Sequence, residues 1–183
     1  MLTNQNTFHQ YVTGELFVAF RDWLNRNRSG RVVLGPVNVR LQENARLIQP
    51  DLFVALGPNW RGDVSVYRGV PDLVVEVLSD ETYRIDRVVK YISYEQVGVK
   101  EYWIVNLKTQ SVEVYSLTDK EYSFVGEYRP EENVKSPLLE GLSIPVRTLF
   151  PKVSQFTEKI KVSENVQYNG EVSPEAIGET VAA

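Results

Sequence analysis

The sequence predicts an α/β fold, one mixed β-sheet flanked by helices. Three observations carry this. Helical and strand periodicities follow one another in the order α-β-β-β-α-β-β-β, which builds a layered sheet and not a doubly wound nucleotide fold. Neither face of the run Leu73–Leu78 is polar apart from Glu76. No Gly-rich phosphate loop, His-Glu-x-x-His or Gly-x-Ser-x-Gly occurs, so those mechanisms have no support.

The first element is a helix from about Phe8 to Asn27. At 100° per residue Phe8, Val12, Ala19 and Trp23 share its apolar stripe, with Tyr11 and Leu16 at the edges, and Ser29-Gly30 ends it. A first strand runs from Arg31 to Leu41, a second from Pro50 to Leu56, stopped by Gly57-Pro58-Asn59. Trp60 to Val70 reads as a polar connection, and Asp72 to Leu78 as a third strand. Ser79-Asp80 can cap a second helix that runs to about Val97 and ends at Gly98, with Ile85, Val88, Val89 and Ile92 facing inward. Strands at 101–105, 111–115 and 122–125 are joined by short polar connections, a meander. Leu142–Val146 and Leu149-Phe150 read as a closing element.

The 183 residues suit one domain, with 43% hydrophobic and 24% charged residues. The absence of cysteine excludes disulfides, thiolate metal sites and cysteine nucleophiles. No apolar segment reaches the ~20 residues of a membrane span, and the N-terminus has no signal-peptide pattern, so a cytoplasmic protein is expected. The net charge of −4 is unevenly spread. After Lys161 there are four acids and no base, which leaves a neutral body of 20 charges of each sign. The domain is therefore expected to span 1–161, with 162–183 an acidic, disordered tail. Arg21, Arg26, Arg28, Arg31, Arg40 and Arg46 fall in a stretch with only Asp22 and Glu43 as acids; it can face phosphates or water alike.

Chemistry is suggested by carboxylates in apolar surroundings. Glu76 shares a strand face with Val74 and Leu78, where a solvated glutamate is not expected. It reads either as a metal ligand or as half of a buried ion pair with an arginine. Asp51, after Pro50 at the start of a strand, reads as a second ligand or as an ordinary turn residue. Glu15 projects beside the stripe of the first helix, pointing either at the sheet or, by its length, to water. Lys90 projects more than a right angle away from the second helix's apolar stripe, which favours solvent, with Asp86 as an i−4 partner. His9, the single histidine, reads as a surface residue.

Pro71–Ser79, Asp86 with Lys90 and Tyr94, and Gly98–Val105 together resemble the Uma-type restriction endonuclease family, and Val112–Tyr115 and Ser136–Leu139 continue the likeness. The resemblance covers roughly residues 8–155. The family is similar to the PD-(D/E)xK nuclease superfamily, whose restriction-endonuclease-like core is αβββαβ. By position, Pro50-Asp51 matches the PD element and Glu76 the second acid. The lysine usual two residues later is replaced by Leu78, and the resemblance nominates Lys90 on the following helix in its stead. Glu15 matches an acid on the first helix of some members, and Asn106 departs from a common aspartate.

The resemblance implies a metal-dependent endonuclease hydrolysing phosphodiesters, with DNA as its nucleic-acid partner. Asp51, Glu76 and the Val77 carbonyl would hold Mg²⁺ or Mn²⁺, Lys90 would assist the attacking water, and Glu15 would reach the metal through a water. A homodimer is the implied assembly, since nucleases that cut both strands act as symmetric pairs. The rival reading is a non-catalytic nucleic-acid- or protein-binding module on the same fold.

Overall fold

Apolar runs that alternate with turn residues give ten strands and three α-helices in the computed structural model, which describes residues 7–43, 46–60, 65–78 and 85–150. In chain order these are α1 (Thr7–Asn27), β1 (Gly30–Leu34), β2 (Asn38–Arg40), β3 (Leu52–Leu56), β4 (Val66–Arg68), β5 (Leu73–Leu78), α2 (Tyr91–Val97), β6 (Glu101–Asn106), β7 (Ser111–Thr118), β8 (Glu121–Tyr128), β9 (Asn133–Lys135), β10 (Ser143–Pro145) and α3 (Val146–Leu149). A π-helical turn, Ile85–Lys90, leads directly into α2. The main sheet has the order β1-β3-β5-β6-β7-β8. β5 and β6 are parallel and the other neighbours antiparallel. The expected mixed sheet and its αβββαβ core are present as α1-β1-β3-β5-α2-β6.

Both faces of the sheet are covered, which is why all six residues of β5 are buried. On one face α1 lays Val12, Leu16, Phe20 and Leu24 over Leu52, Val54, Val75 and Trp103, and the 134–150 segment fills the rest. On the other, α2 and the β2–β4 pair cover Phe53, Val74, Leu78, Tyr102 and Ile104. That second layer holds a cluster of tyrosines. Tyr91 makes edge-on contacts with Tyr102, Tyr115 and Tyr122 at ring separations of 6.2, 5.2 and 5.1 Å.

Several expectations need correction. The single strand expected from Arg31 to Leu41 is two. The chain leaves the sheet at Gly35, where a Cβ would stand 2.6 Å from the Pro50 carbonyl, so only glycine fits this approach. The expected polar connection 60–70 contains β4, which pairs with β2 in parallel, and β9 was not expected at all. The α1 stripe is rotated: His9, Val12, Thr13, Leu16, Phe20 and Leu24 are buried, whereas Phe8, Ala19 and Trp23 are only half-buried. Ser79-Asp80 and the tail after Lys161 lie outside the described residues.

Two buried acids tie the frame together. Asp72 accepts from the Leu56 amide at 2.7 Å, from the Asn59 amide group and from Lys100 at 2.8 Å, which fixes the turn after β3 against the start of β5. Glu101, fully buried at the start of β6, accepts from Trp103 Nε1, from Ser136 Oγ at 3.0 Å and from the Leu138 amide at 2.8 Å. It thereby holds the 136–139 turn to the sheet. Burial pushes its carboxyl up from the ordinary range, against the pull of those three donors.

A substitution Glu101→Ala should cost about 2–4 kcal/mol in denaturant unfolding, since a buried donor left unpaired costs about 1–3 kcal/mol. The raised folded-state pKa also sets a sign. The native protein binds the Glu101 proton more tightly than the unfolded chain, so this contribution is complete below the unfolded value near ~4.3 and lost as pH rises through the folded one. Unfolding measured from pH 4 upward should therefore show a loss in the wild type that Glu101→Gln removes.

Candidate functional site

The register of β3 against β5 brings the two predicted acids together. Leu52 pairs with Val75, so Asp51, one residue before Leu52, stands opposite Glu76, one residue after Val75. Asp51 is held by its backbone and its side chain. Its carbonyl accepts the Gly35 amide at 2.8 Å, and its Oδ2 accepts the Val77 amide at 2.8 Å. That amide directly follows Glu76, so the second acid's own strand orients the first.

Glu76 lies on the sheet face covered by α2 and is 1% exposed. Its Oε1 accepts from the Tyr94 hydroxyl at 2.7 Å, and its Oε2 accepts from Lys90 Nζ at 2.8 Å. The lysine side chain keeps 17% exposure. The ion pair expected as one reading of Glu76 thus exists, with a lysine and not an arginine. Its lysine is the one nominated by the resemblance.

Lys90 reaches Glu76 because the helix presents the face opposite to the expected one. Val88, Val89 and Ile92, expected inward, are 55%, 58% and 44% exposed. Arg87, Lys90, Tyr91 and Tyr94, at spacings i, i+3, i+4 and i+7, point to the sheet instead. The projection that set Lys90 opposite the aliphatic stripe was geometrically sound; the aliphatic stripe is the outer one. Long polar side chains and tyrosine rings bury their apolar bodies and give their polar ends to the sheet carboxylates, which three aliphatic side chains cannot do.

A second acid–base pair lies in the same row. Glu76, Ile104 and Glu113 are consecutive partners across β5, β6 and β7. Glu113 is ion-paired with Arg87, one helical turn before Lys90, and accepts from the Tyr115 hydroxyl at 2.7 Å. Burial first, and then the Glu113 carboxylate, push the Tyr115 hydroxyl above its usual range. Sequence reasoning did not single out this pair; the signal was Glu113 in the alternating run Val112–Val114.

One α1 residue departs from expectation. His9, expected at the surface, is 4% exposed, and its Nε2 lies 3.2 Å from Asp51 Oδ2. The steps His9, Thr13, Leu16, Phe20 and Leu24 trace the buried stripe, and that 4-3-4-4 spacing was the available signal. Glu15 is half-buried about 100° round the helix from Leu16, and its carboxylate accepts from the Tyr11 hydroxyl.

Among the described residues no group of three or more His, Asp or Glu side chains could hold a metal ion. Asp51 and Glu76 are two hard carboxylates on facing strands. That donor set matches how Mg²⁺ is commonly held, through one or two carboxylates with water and substrate filling the other positions. No helix among the described residues is long and apolar enough to cross a membrane.

No curated protein matches the sequence. A crystal structure of a putative nuclease belonging to DUF820 from Anabaena variabilis shares the fold, with a TM-score of 0.65 at 18% identity, covering 79% of this chain and 81% of that one. The family model for Uma2, described as a putative restriction endonuclease, matches residues 2–147. With four-fifths of its length matched in this way, the chain belongs to the Uma2 family.

Proposed function

We propose that the protein is a divalent-cation-dependent endonuclease that hydrolyses phosphodiester bonds of DNA. The observation that carries this reading is the buried Glu76 carboxylate held by Lys90 and Tyr94, set beside an Asp51 that is bonded to the amide after Glu76. Asp51, Glu76 and the Val77 carbonyl would hold Mg²⁺ or Mn²⁺. When bound, the cation would polarise a phosphate oxygen and lower the pKa of a coordinated water.

The chain's own groups divide the remaining work. Asp51 and Glu76 supply negative charge at fixed positions, because each is anchored by a neighbouring donor. Tyr94 holds one Glu76 oxygen from the helix side, leaving the carboxylate little freedom to rotate. Lys90 places an ammonium beside Glu76, where it orients a water by hydrogen bonding and offsets negative charge that develops on the phosphate. Glu15, bonded to Tyr11, would act only through an intervening water. The assembly proposed for cutting both strands is a symmetric homodimer, working in the cytoplasm.

One observation favours the rival reading of a non-catalytic nucleic-acid- or protein-binding module. Lys90 and Tyr94 already supply both Glu76 oxygens with donors, an arrangement that needs no metal to be stable.

Cleavage of supercoiled plasmid with Mg²⁺ or Mn²⁺ separates the two. Lys90→Ala should lower the rate by about 10²–10³-fold, the usual worth of one donor that stabilises charge developing in the transition state. Cleavage at the wild-type rate would remove Lys90 from the mechanism, and no cleavage by the wild-type protein on any DNA would favour the binding module. Leu78 shares the Glu76 face, so adding Leu78→Lys to Lys90→Ala should restore part of the activity. Lys90→Arg should rescue poorly, since the planar guanidinium is bulkier than an ammonium and presents its donors in a fixed fork.

Thermal unfolding provides a test independent of turnover. Removing Lys90 leaves a buried carboxylate without its cation, a change that costs about 3–5 kcal/mol. Lys90→Ala should therefore melt below the wild type in EDTA and recover more of its Tm on adding Mg²⁺ than the wild type gains. Equal metal responses would mean that the cation does not reach Glu76.

A further inference from the structure

We propose that His9 is a positioning residue for the cation site: with the Val77 amide it clamps Asp51 in its ligating orientation. The inference rests on the metal-site reading above and adds to it a residue that neither the acid–acid–lysine pattern nor the family likeness supplies.

Asp51 precedes the first paired residue of β3, so strand pairing does not itself fix its side chain. Two donors converge on the same oxygen, Oδ2, from different layers. The Val77 amide comes from β5 at 2.8 Å, and His9 Nε2 comes from α1 at 3.2 Å. A carboxylate gripped on one oxygen from two directions loses its rotation about both side-chain bonds.

The clamp is itself held. His9 is 4% exposed and sits on the stripe that continues through Thr13, Leu16 and Phe20 into the core. The Thr13 hydroxyl donates to the His9 carbonyl at 2.7 Å and stands 3.5 Å from Nδ1, too far for a firm bond. An ionised carboxylate only accepts hydrogen bonds, so the ring proton facing Asp51 is assigned to Nε2. A nitrogen that carries a proton cannot at the same time donate its lone pair to a metal. His9 therefore acts on the cation through Asp51 and is not a ligand.

The test is Mn²⁺ and Mg²⁺ binding by calorimetry on the full-length protein without nucleic acid, with two substitutions chosen to separate volume from hydrogen bonding. His9→Leu fills much of the space with no donor, and His9→Gln can place an amide N–H near the Nε2 position. His9→Leu should weaken both metals by about 10–100-fold, the usual effect of removing a group that orients a ligand. His9→Gln should bind both metals close to the wild-type affinity.

Wild-type affinity in His9→Leu would overturn the proposal. So would a His9→Gln that binds as weakly as His9→Leu and loses Mn²⁺ more than Mg²⁺, the mark of a direct imidazole ligand. If the wild-type protein binds neither metal, the metal-site reading itself fails and takes this inference with it. Should His9→Leu fail to fold, ¹⁵N NMR of the wild-type His9 ring on adding Mg²⁺ decides the matter: Nε2 stays protonated if it orients Asp51, and loses its proton if it ligates.

Discussion

A carboxylate with 1% exposure in the middle of a two-sided sheet is the constraint around which the rest of the site is arranged. Left alone, the Glu76 charge would cost several kcal/mol of desolvation. The fold answers with a lysine and a tyrosine from the next helix, and that answer decides which face of the helix turns inward. The face that meets the sheet carries Arg87, Lys90, Tyr91 and Tyr94, and the aliphatic face carrying Val88, Val89 and Ile92 is left to solvent. The tyrosine layer follows from the same choice, because Tyr91 and Tyr94 then need ring partners, and Tyr102, Tyr115 and Tyr122 provide them.

The two acids are also coupled through the backbone. Asp51 is bonded to the amide of the residue after Glu76, so a shift of β5 along β3 would break the contact and misalign both carboxylates. Strand register is strongly specified here because a slip by one residue would move every buried side chain of β5 to the wrong layer. Asp72, at the other end of β5, binds the turn that follows β3 and guards the same register.

Much of the frame was legible in the sequence, and the reasons it was legible are the reasons parts were not. The strands of the main sheet announce themselves because each carries five or more residues of apolar or alternating pattern. β4 and β9 have three residues each, too few for a period to register, and the alternating β2 read as a continuation of β1. Asp51 and Glu76 stood out because charge in an apolar strand is conspicuous. His9 did not, since polar His9 and Thr13 interrupt the true stripe of α1 while Phe8, Ala19 and Trp23 imitate one beside it. Lys90 was the hardest case: hydrophobicity alone points the wrong face of its helix at the sheet, and only the family likeness selected it.

The lysine and the acid it meets are 14 residues apart in the chain, on different elements, although their atoms are 2.8 Å apart. In a strand-borne arrangement the interval between the two would be dictated by the pleat, since only every second residue faces the same way. Here the interval belongs to a connection, and what is conserved by the physics is where the helix docks. A descendant of this chain can lengthen or shorten that connection and still bring an ammonium to the same carboxylate, provided the inward face of the helix lands on the same row of the sheet. Kinship among such proteins is therefore written in three dimensions more durably than in any fixed-spacing motif.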